Sequence, residues 1–210
     1  MKVIKIPPKP MQQYGETLLQ ISLFIYAIQF LPQIIHNLIN KNSLVNISIL
    51  TQFGMLFIVL CDLVQEFHND AHWAFILIPL IYCTCLTIQQ LQISLNNRNM
   101  NPVINLMYAM LLSIAFLAIR SKSSLVPQTS IVIELAFNFA IWGPQIHKNI
   151  KQKRCDGYSL LFIALSLVAI LCELASSLII TDNIVIHINL IVCSFTICFV
   201  LYQKFLYRKV

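Results

Sequence analysis

Charge is scarce in this chain. Only 10% of its 210 residues are Asp, Glu, Lys or Arg, where a water-soluble domain carries roughly a quarter. Too few charges remain to coat a water-facing surface, which excludes an ordinary soluble domain. The 14 basic residues give a net charge of +6, but they are scattered over short connections and form no basic face, so no nucleic-acid partner is expected. None of the seven cysteines has the CxxC spacing of a zinc site. Cys83 and Cys85, two apart, would point about 200° apart on a helix, and six of the seven cysteines lie in apolar runs as filler. No metal and no cofactor is expected. No His–carboxylate or Cys–His grouping has a spacing that catalysis requires, so no catalytic residue and no enzyme is expected. No small-residue cleavage site follows the first apolar run, and Pro7, Pro8 and Pro10 precede it. It therefore reads as a span, not a removable signal.

Apolar sequence is abundant: 58% hydrophobic, with a mean hydropathy of +0.77. Seven stretches are long enough to cross a hydrocarbon core of about 30 Å, at 18–38, 45–65, 73–92, 103–119, 129–150, 159–180 and 184–205. Each must be helical, because an isolated strand in lipid leaves its backbone groups unpaired. The expected class is an all-α multi-pass membrane protein, with the bilayer as its first partner. Lys2, Lys5, Lys9, Arg120 and Lys122 fall on one side. Lys41, Arg98, Lys148, Lys151, Lys153, Arg154, Lys204, Arg208 and Lys209 fall on the other. The positive-inside rule then puts the N-terminus outside or luminal, and the C-terminus in the cytosol. The segment Lys148–Arg154 reads as an anchor on anionic lipid.

The chain also repeats itself. Phe30-Leu31-Pro32-Gln33-Ile34 recurs as Trp142-Gly143-Pro144-Gln145-Ile146, 112 residues on, with Asn37 matching Asn149 and Lys41 matching Lys153. Ser48 matches Ser159, and Leu60-Cys61-Asp62-Leu63 matches Leu171-Cys172-Glu173-Leu174, at an offset of 111. Ile78, Leu80, Ile81 and Cys83 match Ile188, Leu190, Ile191 and Cys193 at 110. This divides the chain into an N-terminal tail (1–17), a first triple-helix repeat (18–92), a connector helix (103–119) and a second repeat (129–205). The connector lets both repeats enter the membrane the same way up, as two parallel three-helix bundles.

Proline followed by glutamine, ahead of a basic loop and a serine-started helix, twice in a 3+1+3 pattern, resembles the PQ-loop repeat family. That clan includes cystinosin-like exporters, SWEET sugar carriers and, more distantly, the KDEL receptor. Gly157-Tyr158-Ser159 is similar to the family's Gly-aromatic-Ser start of the second helix; Asn46-Ile47-Ser48 is a poorer copy. The resemblance implies solute transport through a site between the two bundles. Where the cystinosin-like exporters place a proton-coupling aspartate this chain has Ser166, with Met55 at the same place in the first repeat. Of the paired asparagines of SWEET carriers it has Asn189, opposite Pro79.

Polar residues inside spans are costly and face a cavity or a neighbour. Tyr26 and Gln29 on the first span, Gln52 on the second, Asn138 on the fifth, Ser166 on the sixth and Asn189 on the seventh are the candidate solute path. The alternative is hydrogen-bonding glue between helices. Pro32 and Pro144 free a carbonyl one turn back and permit a bend, either a gate hinge or a static kink. Gln33 and Gln145 could bridge those carbonyls or touch solute. Asp62, Glu134 and Glu173 are candidates for proton or cation coupling, or else a solvated rim. His36 and His147 read as interfacial, and His68 and His72 as surface. The function expected is a PQ-loop-type secondary transporter of a small polar solute, amino acid-like, working by rocking of the two bundles. The alternatives are a ligand-binding or sorting receptor, or a sugar uniporter.

Overall fold

The computed structural model describes residues 9–70, 73–96, 102–121, 123, 125–181 and 183–207. Lys2, Lys5, His72, Arg98, Lys122, Arg208 and Lys209, used above, lie outside them. The first span is made of α1 (Lys9–Ile28) and α2 (Phe30–Ile39), followed by a 3-10 turn over Lys41–Asn46. The next three are α3 (Ile49–His68), α4 (Trp73–Asn96) and α5 (Pro102–Arg120). The fifth consists of α6 (Leu125–Ala140) and α7 (Gly143–Gln152), and α8 (Leu160–Ile180) and α9 (Ile184–Leu206) complete the set. Among the described residues, seven segments are long and apolar enough to cross a membrane. Helix already begins at Lys9, within the segment read as a tail.

Both broken spans break for one reason. A proline has no N–H for the carbonyl four residues earlier, which is Ile28 for Pro32 and Ala140 for Pro144. The helices α1 and α6 end at those two residues. Restarting is equally symmetric: Ser48 and Ser159 sit at the N-caps of α3 and α8. Their hydroxyls accept from Thr51 N at 3.4 Å and Phe162 N at 3.3 Å.

Polarity is distributed inside out relative to a soluble protein. Leu95, Phe195 and Leu178 are exposed, while Gln33, Gln145, Asn37, Asn149 and Gln203 are almost wholly buried. An apolar exterior of this kind suits lipid, and the second set is satisfied internally. This is an integral multi-pass membrane protein.

Packing crosses between the repeats. The helix α1 runs along α8, and α3 runs along α6. Within the first repeat α4 packs against both α2 and α3; within the second, α9 packs against both α6 and α8. The helix α5 leans on α3, burying Tyr108 and Ala115. Close approach of α1 and α8 is permitted by Gly15, where a Cβ would stand 2.7 Å from Ile180. Ser176 Oγ donates to the Gly15 carbonyl there at 2.7 Å.

Candidate functional site: a cavity above two glutamine clamps

At the end of the molecule that carries both prolines, each glutamine reaches across to the other repeat. Gln33 Oε1 accepts from Ser159 N at 2.7 Å, and its Nε2 donates to the Gly157 carbonyl at 3.1 Å. Gln145 Oε1 accepts from Ser48 N at 2.6 Å, and its Nε2 donates to the Asn46 carbonyl at 3.0 Å. Each glutamine amide thus saturates the backbone just ahead of the partner repeat's serine-capped helix. Neither glutamine bonds the carbonyl freed by its neighbouring proline, and neither lines the cavity described below. The suggested contacts with freed carbonyl or solute are corrected accordingly. A side chain one residue past the proline points across the repeat interface, where unpaired backbone groups of the other loop await it.

A second tier holds the clamps in place. Gln33 and Gln145 also donate to Asn37 Oδ1 and Asn149 Oδ1, at 2.8 and 2.7 Å. Asn37 donates to Gln92 Oε1 at 2.9 Å, and Asn149 to Gln203 Oε1 at 2.8 Å. Gln92 and Gln203 close the circuit on the Ile34 and Ile146 carbonyls, at 3.2 and 3.3 Å. Outside it, Lys148 Nζ donates to the Val45 and Ile47 carbonyls at 2.7 and 2.8 Å. His36 Nε2, one repeat earlier, donates to the Asp156 carbonyl at 2.9 Å. Lys204 Nζ holds the Cys155 and Tyr158 carbonyls at 2.6 and 2.7 Å. Cys155 is buried in this layer, accepting from Asn149 Nδ2 at 3.2 Å. Burial pushes its thiol up to about 11, Lys204 pulling the other way and Asp156 adding to the rise.

Above the clamps lies an aromatic floor. Trp142 stands edge-on to Tyr158 at 5.3 Å, Tyr158 stacks on Phe162 at 5.6 Å, and Phe162 meets Phe30 at 5.0 Å. Phe30 continues to Tyr82 at 4.9 Å. On the far side of this floor opens a cavity of about 390 Å³ whose wall draws on the first, second, third, fifth, sixth and seventh spans. Tyr26, Gln29, Asn138, Ser166 and Asn189 all line it, as do Pro79 and Met55. Gln52 does not: it is fully buried one helical turn beyond Met55, on the clamp side of the floor. Its place on the solute path is therefore corrected.

Four of the chain's eight acidic residues, Asp62, Glu66, Glu134 and Glu173, line the same cavity. All four are half-buried and share this one space. Tyr26 Oη donates to Glu173 Oε2 at 2.6 Å. Glu134 accepts from Gln65 Nε2 at 2.8 Å and Asn138 Nδ2 at 3.3 Å, and Asp62 lies within hydrogen-bonding reach of it. The repeat-equivalent acids Asp62 and Glu173 thus take different partners. No Lys, Arg or His is among the described residues of the wall. Gln29 Nε2 donates to the Tyr82 hydroxyl, while its Oε1, also buried, has no partner among the described residues.

Sequence reasoning missed Gln92 and Gln203. Their offset is 111, whereas Cys83 and Cys193 in the same two spans pair at 110. That one-residue slip sets Tyr202 opposite Gln92 and hides the match. The polar stripes also divide by depth: the prolines' end is hydrogen-bonded glue, and the opposite end is cavity.

Fold and site together define a multi-pass membrane protein with duplicated halves around a cavity of small-molecule size. A family model, the PQ loop repeat, matches residues 14–75 and again 126–186. The chain belongs to the PQ-loop repeat family, which includes transporters and related membrane proteins. No curated protein matches it.

Proposed function

We propose that the protein is a secondary transporter for a small polar solute. The solute sits in the acidic cavity and crosses by rocking of two triple-helix bundles. The observation that carries this reading is the cavity's position: both repeats wall it, and one end is closed by paired, repeat-related clamps. A volume of about 390 Å³ suits a ligand of metabolite size. The packing order supports two bundles, since α4 bridges the first repeat, α9 bridges the second, and α1–α8 and α3–α6 join them. Hydrogen-bonded clamps are separable without unfolding either bundle, which is what a gate requires. Pro32 and Pro144 interrupt their spans at the depth of the aromatic floor and supply the hinges.

In this reading the clamped end faces the cytosol. Lys41, Lys148, Lys151, Lys153, Arg154 and Lys204 lie there, as the positive-inside rule asks. Asp62 and Glu134, side by side, can hold a proton between them and couple its movement to that of solute. A sugar uniporter has no use for four carboxyls in its path. The test is flux: protein reconstituted in vesicles should exchange a labelled small polar solute, and acidifying one side should change the rate. Saturable binding with no flux of any amino acid, amine or sugar would leave a receptor instead.

A further inference from the structure

The cavity wall is one-sided in its chemistry, and this narrows the solute. Asp62, Glu66, Glu134 and Glu173 supply negative charge, and no described wall residue is basic. Gln29 adds an independent feature. It is 4% exposed, belongs to the wall, and presents an Oε1 acceptor that no described protein group satisfies. Gln52 and Gln89 also have buried amides without partners among the described residues, but Gln29 is the one of the three on the wall, where an unpaired acceptor favours a ligand rich in donors. Phe30, Tyr82 and Trp142 line the same space, and aromatic rings attract organic ammonium groups. Among the described wall residues a carboxylate would meet only neutral donors, such as Asn189 Nδ2 and the Tyr82 hydroxyl, and no cation. The helix starts at Phe30 and Gly143 abut the ends of α1 and α6, whose carbonyl ends oppose their dipoles. The described residues also contain no group of three or more His, Cys, Asp or Glu placed to hold a metal ion.

We infer that the cavity selects an organic amine without a carboxylate, of the diamine type, over the corresponding amino acid. One ammonium lies among Gln29, Tyr26 and Glu173, and a second reaches the Asp62–Glu134 side. An amino acid would bring its carboxylate against like charge with no compensating cation among the described wall residues, and like-charge juxtaposition is what rejects wrong ligands. The assignment builds on the transporter reading for the passage of solute but not for its binding.

The test is calorimetric titration of the full chain in lipid nanodiscs with three probes on one carbon skeleton. These are 1,5-diaminopentane, lysine (the same diamine plus one carboxylate) and pentane-1,5-diol, each at matched sodium chloride. The diamine is expected to bind about tenfold or more tightly than lysine, and the diol not at all. Glu173→Gln and Gln29→Leu should each weaken the diamine about tenfold. The probe comparison needs no variant and so survives a variant that fails to fold. Lysine or the diol binding as well as the diamine, or sodium chloride abolishing the difference, overturns the assignment, as does absence of binding by all three. Diamine binding without vesicle flux overturns the transporter reading and leaves the site. Flux of another solute that the diamine does not compete with does the reverse.

Discussion

Gln33 and Gln145 each satisfy an N–H and a carbonyl of the opposite repeat. Replacing either with leucine strands both groups in a buried layer, which costs about 1–3 kcal/mol per group. Gln33→Leu and Gln145→Leu should therefore lower the thermal midpoint in detergent, by similar amounts because their surroundings are repeat-related. Unchanged midpoints would mean the clamps are not formed. Cys155 provides a chemical reporter of the same layer. With the other six cysteines replaced, its labelling by maleimide should be slow near neutral pH, because the thiolate is the reactive form and the thiol is pushed up to about 11. The rate should climb about tenfold per pH unit below that value. Gln145→Leu, which loosens Asn149 above the thiol, should raise the rate at fixed pH. At this scale the sequence was half legible. Internal matching pointed to Asp62, Glu173 and the two glutamines, since side chains so expensive in lipid need a reason. Their partners were not legible: which face of a helix is polar does not say whose backbone it meets, and Gln33 meets Gly157 from 124 residues away.

Between elements, the decisive contact is loop against loop. The backbone at Gly157 approaches Asn46 so closely that a Cβ would stand 2.9 Å from the Asn46 carbonyl carbon and oxygen. Asn46 Nδ2 in turn donates to Asp156 Oδ1 at 2.7 Å. Gly157→Ala must push the loops apart and is expected to destabilise the protein by about 1–3 kcal/mol, as overpacking does. Asn46→Ala, which removes one partly buried side-chain bond, should cost about 1 kcal/mol or less. Equal thermal midpoints for Gly157→Ala and the parent would show that the loops do not meet this way. The elements themselves were the most legible level. Twenty-residue apolar runs leave helix as the one backbone solution in lipid, and proline marks the two breaks. The helix starting at Lys9 was not foreseen, because Gln12, Gln13 and Glu16 do not read as a span.

At the scale of the whole molecule, duplication explains why each half brings a matching clamp and two carboxyls to the site, while the neutral lining differs between them. Both repeats supply the same clamp, while the cavity differs by repeat: Met55 stands where Ser166 does, and Pro79 where Asn189 does. The duplication was readable in the sequence; the depth at which glue gives way to cavity depended on packing between repeats. Lys41 and Lys153 are both exposed and lie in repeat-related positions at the clamped end, so spin labels placed there follow the seal directly. Pulsed electron–electron double resonance in nanodiscs should give one short distance for the parent protein. A second, longer population should grow when solute is bound or when Gln33 and Gln145 are both changed to leucine. A single short distance under every one of those conditions would mean that the two halves do not separate at this end, and the alternating-access account would be wrong.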